Sequence, residues 1–398
     1  MLQNGLIIFS TVIIGGILFL PRVANNSYWR ATITPLASII GSGFLILGPI
    51  LNQAYGGYAP LAMLVLCIVA YLFGSAIRAN IASRIEPKNA KAFANLETLS
   101  SWILAFAYII SVAYYLNLFG AFAIRLVSEA DPTNAKILTT CIFLLILLVG
   151  WFKGFSALER MEQISVSLKL AIISGLIVGL AYFAGEYAIA GQLVFNPAPE
   201  QGWAALTLAF GLIITIQGFE TSRYLGDEYD APTRISSMRF AQFISSIIYV
   251  VYIGLIAYIF RTDDFSFSET AIIDMMKVVA PILPALLIAA ALSAQFSAAI
   301  ADTEGAGGII SELTNGRIKT RYAYAILVCA GLALTWSANI FELISYASRA
   351  FALYYGLQAA IAAFLASKQP KNEMKMIGFG LLALLGICIA VFGTSVEV

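Results

Sequence analysis

About twelve apolar segments of spanning length, joined by short connections, restrict this chain more than any motif in it. They run roughly over 5–21, 32–54, 59–81, 98–126, 135–152, 163–184, 203–226, 239–260, 279–312, 321–337, 340–366 and 376–393. A helix needs about 20 predominantly apolar residues to cross a bilayer, and inside hydrocarbon every backbone N–H and C=O must find a partner within the protein. The pattern therefore predicts an all-α polytopic membrane protein. Charge content agrees: 11% of residues are charged, where a soluble domain carries about 25%. A formal net charge of +1 gives no nucleic-acid footprint. The complete lack of histidine removes the usual metal ligand and the usual switch near neutral pH. Cys67, Cys141, Cys329 and Cys388 fall in separate apolar segments without paired or metal-site spacing, so they read as small core residues. The first segment lacks the basic flank and small-residue cleavage site of a signal peptide and is taken as a true span.

Lysine and arginine set the expected orientation. Arg22 and Arg30, the group from Arg78 to Lys91, Lys153 and Arg160, Arg234 and Arg239, the group from Arg317 to Arg321, and the group from Lys368 to Lys375 fall in alternate connections. That places 16 of the 23 basic residues on one side, against Arg125, Lys136, Arg261 and Lys277 on the other. The rich side is expected to be cytoplasmic, with both termini on the opposite face of a plasma (cell inner) membrane.

Two of the segments carry a feature that a membrane helix tolerates only for a reason. The stretch 32–51 holds Gly41-Ser42-Gly43 at its centre, and the seventh segment holds Gln217-Gly218-Phe219-Glu220. Glycine costs an ordinary helix about 1 kcal/mol against alanine, and backbone freed by a broken helix survives at membrane depth only where it is buried in protein or lines a cavity. The exposed amides of a half-helix N-terminus favour an anion, so Ile40, Gly41, Ser42 and Gly43 are expected to bind a substrate carboxylate. Carbonyls freed between Ile214 and Gln217, with Gly218 and Phe219, are expected to receive an ammonium group. Close helix packing through small residues is the competing reading of the glycines. The two breaks enter from opposite sides and each is followed by four more spans, the order of an inverted five-plus-five repeat.

These stretches also resemble a known family. IIGSGFLILGP (39–49) is similar to the first core helix of the amino acid–polyamine–organocation (APC) transporters, which share the LeuT-type fold, and GFETSRYLGDEYDAPTR (218–234) resembles their sixth. Its matching positions are Gly218-Phe219-Glu220, Asp227-Glu228 and Pro232-x-Arg234. GGYAPLAMLVLCIVAYLFG (56–74) looks like the second core helix and SVSLKLAIISGL (165–176) like the fifth, which often carries a lysine. The resemblance covers about 30–366. It implies a first five-helix repeat at 30–184 and a second, inverted one at 185–367, flanked here by a C-terminal helix at 368–398 and, as a departure from the family, an extra N-terminal helix at 1–29. It also departs from the family: aliphatic Ile213, Ile214 and Ile216 precede Gly218, and Arg78 stands where a glutamate is common.

Ionisable residues inside spans are costly and mark function. Lys169 lies nine residues beyond Arg160, roughly 13 Å into the membrane at helical rise. The resemblance implies that it takes the place of a sodium ion and that its proton serves coupling, with Glu220 and Asp302 as further proton-coupling candidates. Glu220 and Arg223 are spaced to neutralise each other, and Arg349, two turns from Glu342, is expected in a structural salt bridge. Tyr108, Tyr114 and Tyr115 are candidate gating residues. In the ninth segment, hydroxyls at Ser297 and Thr303 form an alternative sodium site. The expectation is a secondary active transporter of an amino acid or related small organic cation or zwitterion, proton-coupled and sodium-independent, working by alternating access with membrane lipid around it and no cofactor. A sodium symporter, or a non-transporting sensor or partner subunit of the same fold, stays open. A membrane enzyme is disfavoured because no nucleophile–base arrangement is visible.

Overall fold

The computed structural model describes residues 2–41, 43–83, 90–127, 131–152, 159–226, 228–368 and 372–396. Ser42 and Asp227 fall outside these ranges, as do Arg84, Lys88 and Lys153. Among the described residues there are helices and no strands, as the apolar pattern requires. Nine helical stretches among the described residues are long and apolar enough to cross a membrane.

Nine and twelve differ for physical reasons. The 32–54 segment is two short helices, α3 (Ser27–Ile39) and α4 (Gly43–Tyr55), separated at residues 40–42. After α4, a 3-10 turn at Gly56–Tyr58 leads directly into α5 (Ala59–Ala82). Counted together, Gly43–Ala82 is 40 residues, about 60 Å at helical rise and twice a ~30 Å hydrocarbon core. Gly56, at φ 50°, turns the chain there. The 203–226 segment is likewise interrupted, and only α9 (Gly202–Gly211) of it is α-helical; the 321–337 segment is a single helix, Thr320–Ser337, that carries Arg321 in its first turn and is not among the nine.

The remaining helices are unbroken. Two lead the chain, α1 (Leu2–Phe19) and the single turn α2 (Pro21–Ala24). α6 (Ala90–Ile124), α7 (Pro132–Phe152) and α8 (Glu159–Ile189) complete the first half. α10 (Ala231–Ile259), the short α11 (Ala271–Val279) and α12 (Leu283–Leu313) follow. α13 (Thr320–Ser337), α14 (Ile340–Ser367) and α15 (Glu373–Phe392) end the chain. α6 packs along α12 and α14, and α10 packs on α3, α4 and α5, so the two interrupted segments lie among neighbours rather than in lipid. One large buried cluster draws on all of these elements except α2.

Small residues set the closest approaches. α1 lies along α8, where a Cβ on Gly175 would meet Thr11 Oγ1 at 2.3 Å and one on Gly179 would meet Ile7 Cδ1 at 2.9 Å. Ser10 and Ser174 hydrogen-bond across that contact at 3.3 Å, the usual way membrane helices associate without a hydrophobic drive between them. Residues 192–201 form a strap across the ends of α4 and α10. Val194 N donates to Tyr258 O (2.9 Å), Gly57 N to Asn196 O (3.0 Å) and Glu200 N to Ala54 O (3.2 Å).

Arg349, Glu342 and Arg78 are held by uncharged partners. Arg349 donates from Nε to Ala390 O at 2.7 Å, satisfying a carbonyl in the last turn of α15. Glu342 instead closes a capping box with Asn339 at the start of α14. Arg78 stacks 4.6 Å over the Tyr71 ring and donates to Gln242, so it joins α5 to α10. In the PTR stretch, Asp230 caps α10 and accepts from Thr233 N at 3.0 Å. Hydrogen bonds from the Thr233 side chain and backbone hold its carboxyl below the usual aspartate range. Arg234 donates to Arg223 O at 2.8 Å, folding the loop back onto the second break.

Candidate functional site

The two breaks are in contact. α3 ends at Ile40, whose N–H still bonds Leu36 O at 2.9 Å, and α4 resumes at Gly43. In the other segment a 3-10 turn at Ile213–Ile216 gives way to extended Gln217 (ψ 177°), then to Gly218 at φ 113° and a second 3-10 turn, Phe219–Tyr224. Gly218 sits in the left-handed region that L side chains rarely adopt. A Cβ there would also lie 2.3 Å from Ser38 Cβ, and one on Gly43 would lie 2.9 Å from Thr215 Cα. The glycines thus let two irregular backbones interlock. Tyr249 of α10 joins them, its hydroxyl lying 2.9 Å from Ile39 O and 2.6 Å from Thr215 O. Ile214 N is taken by Ser348 Oγ (3.0 Å), and Ile214 O accepts from Gln217 N (3.2 Å).

Beside this junction lies a polar cavity of about 30 Å³, room for roughly two water molecules. α3 contributes Ser38, α6 Tyr115, α8 Lys169 and α12 Ser297 and Asp302, while the second break contributes Gln217 and Glu220. Gln217, Glu220 and Lys169 are buried, whereas Asp302 is half-buried and its neighbour Ala301 exposed, so one end of the cavity opens toward the protein surface. A smaller apolar cavity, lined by Gly41, Phe44, Leu45, Ile173 and alanines of α12, lies on the other side of Lys169, which borders both.

Lys169 Nζ donates to Ala37 O at 2.8 Å, just before the first break. A cation against backbone oxygen at the end of a half-helix satisfies the carbonyls that the break leaves open. Glu220 accepts from Gly218 N at 2.9 Å and from the Tyr355 hydroxyl at 2.8 Å. Asp302 accepts from the Ser111 hydroxyl. Gln217 Nε2 donates to Tyr115 OH at 3.1 Å.

Glu220 and Arg223 do not neutralise each other. Arg223 donates instead to Glu97 of α6 at 2.5 Å and to Gln358 of α14, while Glu220 is held by Gly218 N and Tyr355 OH. Breaking a buried pair leaves an uncompensated charge; with both side chains partly exposed, at 17% and 27%, Arg223→Met is expected to cost about 2 kcal/mol. The double variant with Glu97→Leu should recover most of that in thermal unfolding. An unchanged midpoint in the single variant would show the pair to be a spectator.

The structure brings together Gly43 and Gly218, with Phe219 stacked 4.9 Å from Tyr355, and gathers Gln217, Glu220, Lys169, Ser297 and Asp302 on one cavity. Ile40 is fully buried beside the break. Thr303 is set apart: it is buried and donates back to Ala299 O at 2.6 Å on its own helix. Tyr249, Tyr355 and Ser111 escaped the sequence reading. A tyrosine in an apolar span signals a buried hydroxyl in need of a partner, but sequence does not say which backbone it meets.

Comparison with known proteins adds two findings. A family described as APC superfamily transporter matches residues 21–393. An uncharacterised protein of Aquifex aeolicus (strain VF5) is 41% identical over 402 residues, covering 98% of this chain and 97% of that protein.

Proposed function

The chain belongs to the APC superfamily of transporters, and from that premise we propose that it is a secondary active carrier for an amino acid or related small organic cation, proton-coupled and independent of sodium. It is a multi-pass membrane protein; we place it in the plasma membrane with both termini outside, on the lysine and arginine asymmetry. Two inverted five-helix halves, at 30–184 and 185–367, would rock about the interlocked breaks.

The observation that carries this reading is the Lys169 ammonium on the Ala37 carbonyl, in a cavity shared with Glu220 and Asp302. A fixed cation at the end of the first broken helix does the electrostatic work that a bound sodium ion would do. Its two carboxyl neighbours give protons a place to reside. In the compact state described here, the Gly43 end of α4 closes on Thr215, so substrate contact with Ile40, Gly41 and Gly43, and with Ile214 to Phe219, requires the breaks to part.

Proteoliposomes test it. Uptake should persist when choline replaces sodium and should respond to an imposed pH gradient. Strict dependence on sodium would overturn the coupling and move the ion site to Ser297 and Thr303.

A further inference from the structure

We propose that Asp302 is a shared seat, occupied by a proton when the cavity is empty and by the ammonium group of an amine substrate when it is loaded, so that each substrate bound releases one proton. This rests on the transporter reading and narrows it to a cationic amine exchanged for protons.

The cavity presents two carboxyl groups, Glu220 and Asp302, against one amine, Lys169. Two ionised carboxylates would leave a buried negative charge, which membrane interiors hold only when it is paired or neutralised. A proton or a cationic substrate each balances it, and they exclude one another.

Asp302 is the group free to switch. Glu220 is 1% exposed and accepts from Gly218 N and Tyr355 OH. Asp302 is half-buried at the open end and accepts from the Ser111 hydroxyl, which is also 3.0 Å from Tyr108 O. One hydroxyl proton serves one acceptor, while a carboxylate offers about four lone-pair sites. The charged and titratable groups around it are Tyr108 and Tyr115 from α6, Lys169 from α8 and Glu220 from the second break. Tyr354 and Tyr355 of α14 stand behind Glu220, and Glu304 lies on Asp302's own helix, on an exposed position.

A substrate carboxylate has poor prospects here. It would face Asp302 and Glu220 across the cavity. The Lys169 ammonium already donates to Ala37 O. An ammonium, by contrast, meets Asp302 and the nearby Ser297 and Ser38 hydroxyls. In atoms, the Asp302 carboxylic acid loses its proton to a water molecule entering at the open end, and the incoming R–NH3+ donates to the carboxylate.

Titration calorimetry on the purified full chain in lipid nanodiscs tests this, with a matched series of propylamine, 2-aminobutyrate and butyrate. Two buffers of different ionisation enthalpy count the protons. Propylamine is expected to bind with close to one proton released, 2-aminobutyrate at least tenfold more weakly, and butyrate not at all. Asp302→Asn should keep the thermal midpoint, lose tenfold or more in amine affinity at pH 8 and release no proton, with Asp302→Glu restoring release. A tighter zwitterion, absent amine binding, no proton release, or an unaffected Asp302→Asn would each overturn the proposal. Stabilisation by sodium that Asp302→Asn abolishes would overturn it too. Proton-driven uptake of 2-aminobutyrate without amine binding would leave the transporter reading intact and remove only this inference.

Discussion

Gly218→Val is expected to abolish transport and to lower the unfolding midpoint clearly. Two costs add at this position. The backbone at φ 113° strains any branched residue by about 1–3 kcal/mol, and a Cβ 2.3 Å from Ser38 Cβ and 2.6 Å from its carbonyl carbon overpacks a fixed backbone by about 1–3 kcal/mol more. The neighbour is main chain and Cβ of the other break, with no flexible tip to swing aside. Gly43→Val acts on the same junction through Thr215, without the left-handed strain, and should cost less stability while still stopping uptake. Gly254→Ala is the control, since a Cβ there finds its nearest neighbour at 3.9 Å. Uptake by Gly218→Val within twofold of the parent, at an unchanged midpoint, would mean that the breaks do not need to interlock.

Lys169→Met is expected to lower uptake by about tenfold or more and to flatten its pH dependence. A tenfold loss corresponds to about 1.4 kcal/mol, within the reach of one charge-assisted hydrogen bond, here the one to Ala37 O at 2.8 Å. Lys169→Arg keeps the charge but presents a planar fork where a point donor fits, so partial activity with retained pH dependence is expected of it. Because Lys169 and Asp302 line the same cavity, their substitutions should not add. Additive effects of Lys169→Met and Asp302→Asn on uptake and on its pH profile would falsify a shared role.

Much of the architecture was legible because lipid makes backbone satisfaction local. Apolar runs announced the helices, and the glycines at 41, 43 and 218 announced where two of them fail. That Lys169, Glu220 and Asp302 would share a cavity was half legible: depth along each helix follows from counting residues at a fixed rise, whereas facing does not. Arg223 shows the limit. Its spacing from Glu220 suggested a pair, and a 3-10 turn keeps i and i+3 on one face, but the long Arg223 side chain meets Glu97 of α6, a partner that only the tertiary fold supplies. Arg349 shows another: its partner is a backbone carbonyl of α15, an acceptor that every residue possesses and no sequence pattern marks. The interlock of Gly43 with Thr215 was illegible for the same reason, since a glycine records that something approaches without recording what.

Tyr249 has one hydroxyl hydrogen and stands before two carbonyl oxygens, Ile39 O and Thr215 O. A single hydrogen completes one strong bond at a time, so this hydroxyl serves only one of the two half-helices at any moment. The carbonyl it leaves forgoes a bond worth on the order of 1 kcal/mol, which water could replace once the two segments separate. A carrier must spend its working life leaving each of its shapes, and here the closed one is furnished with a small reason to come apart.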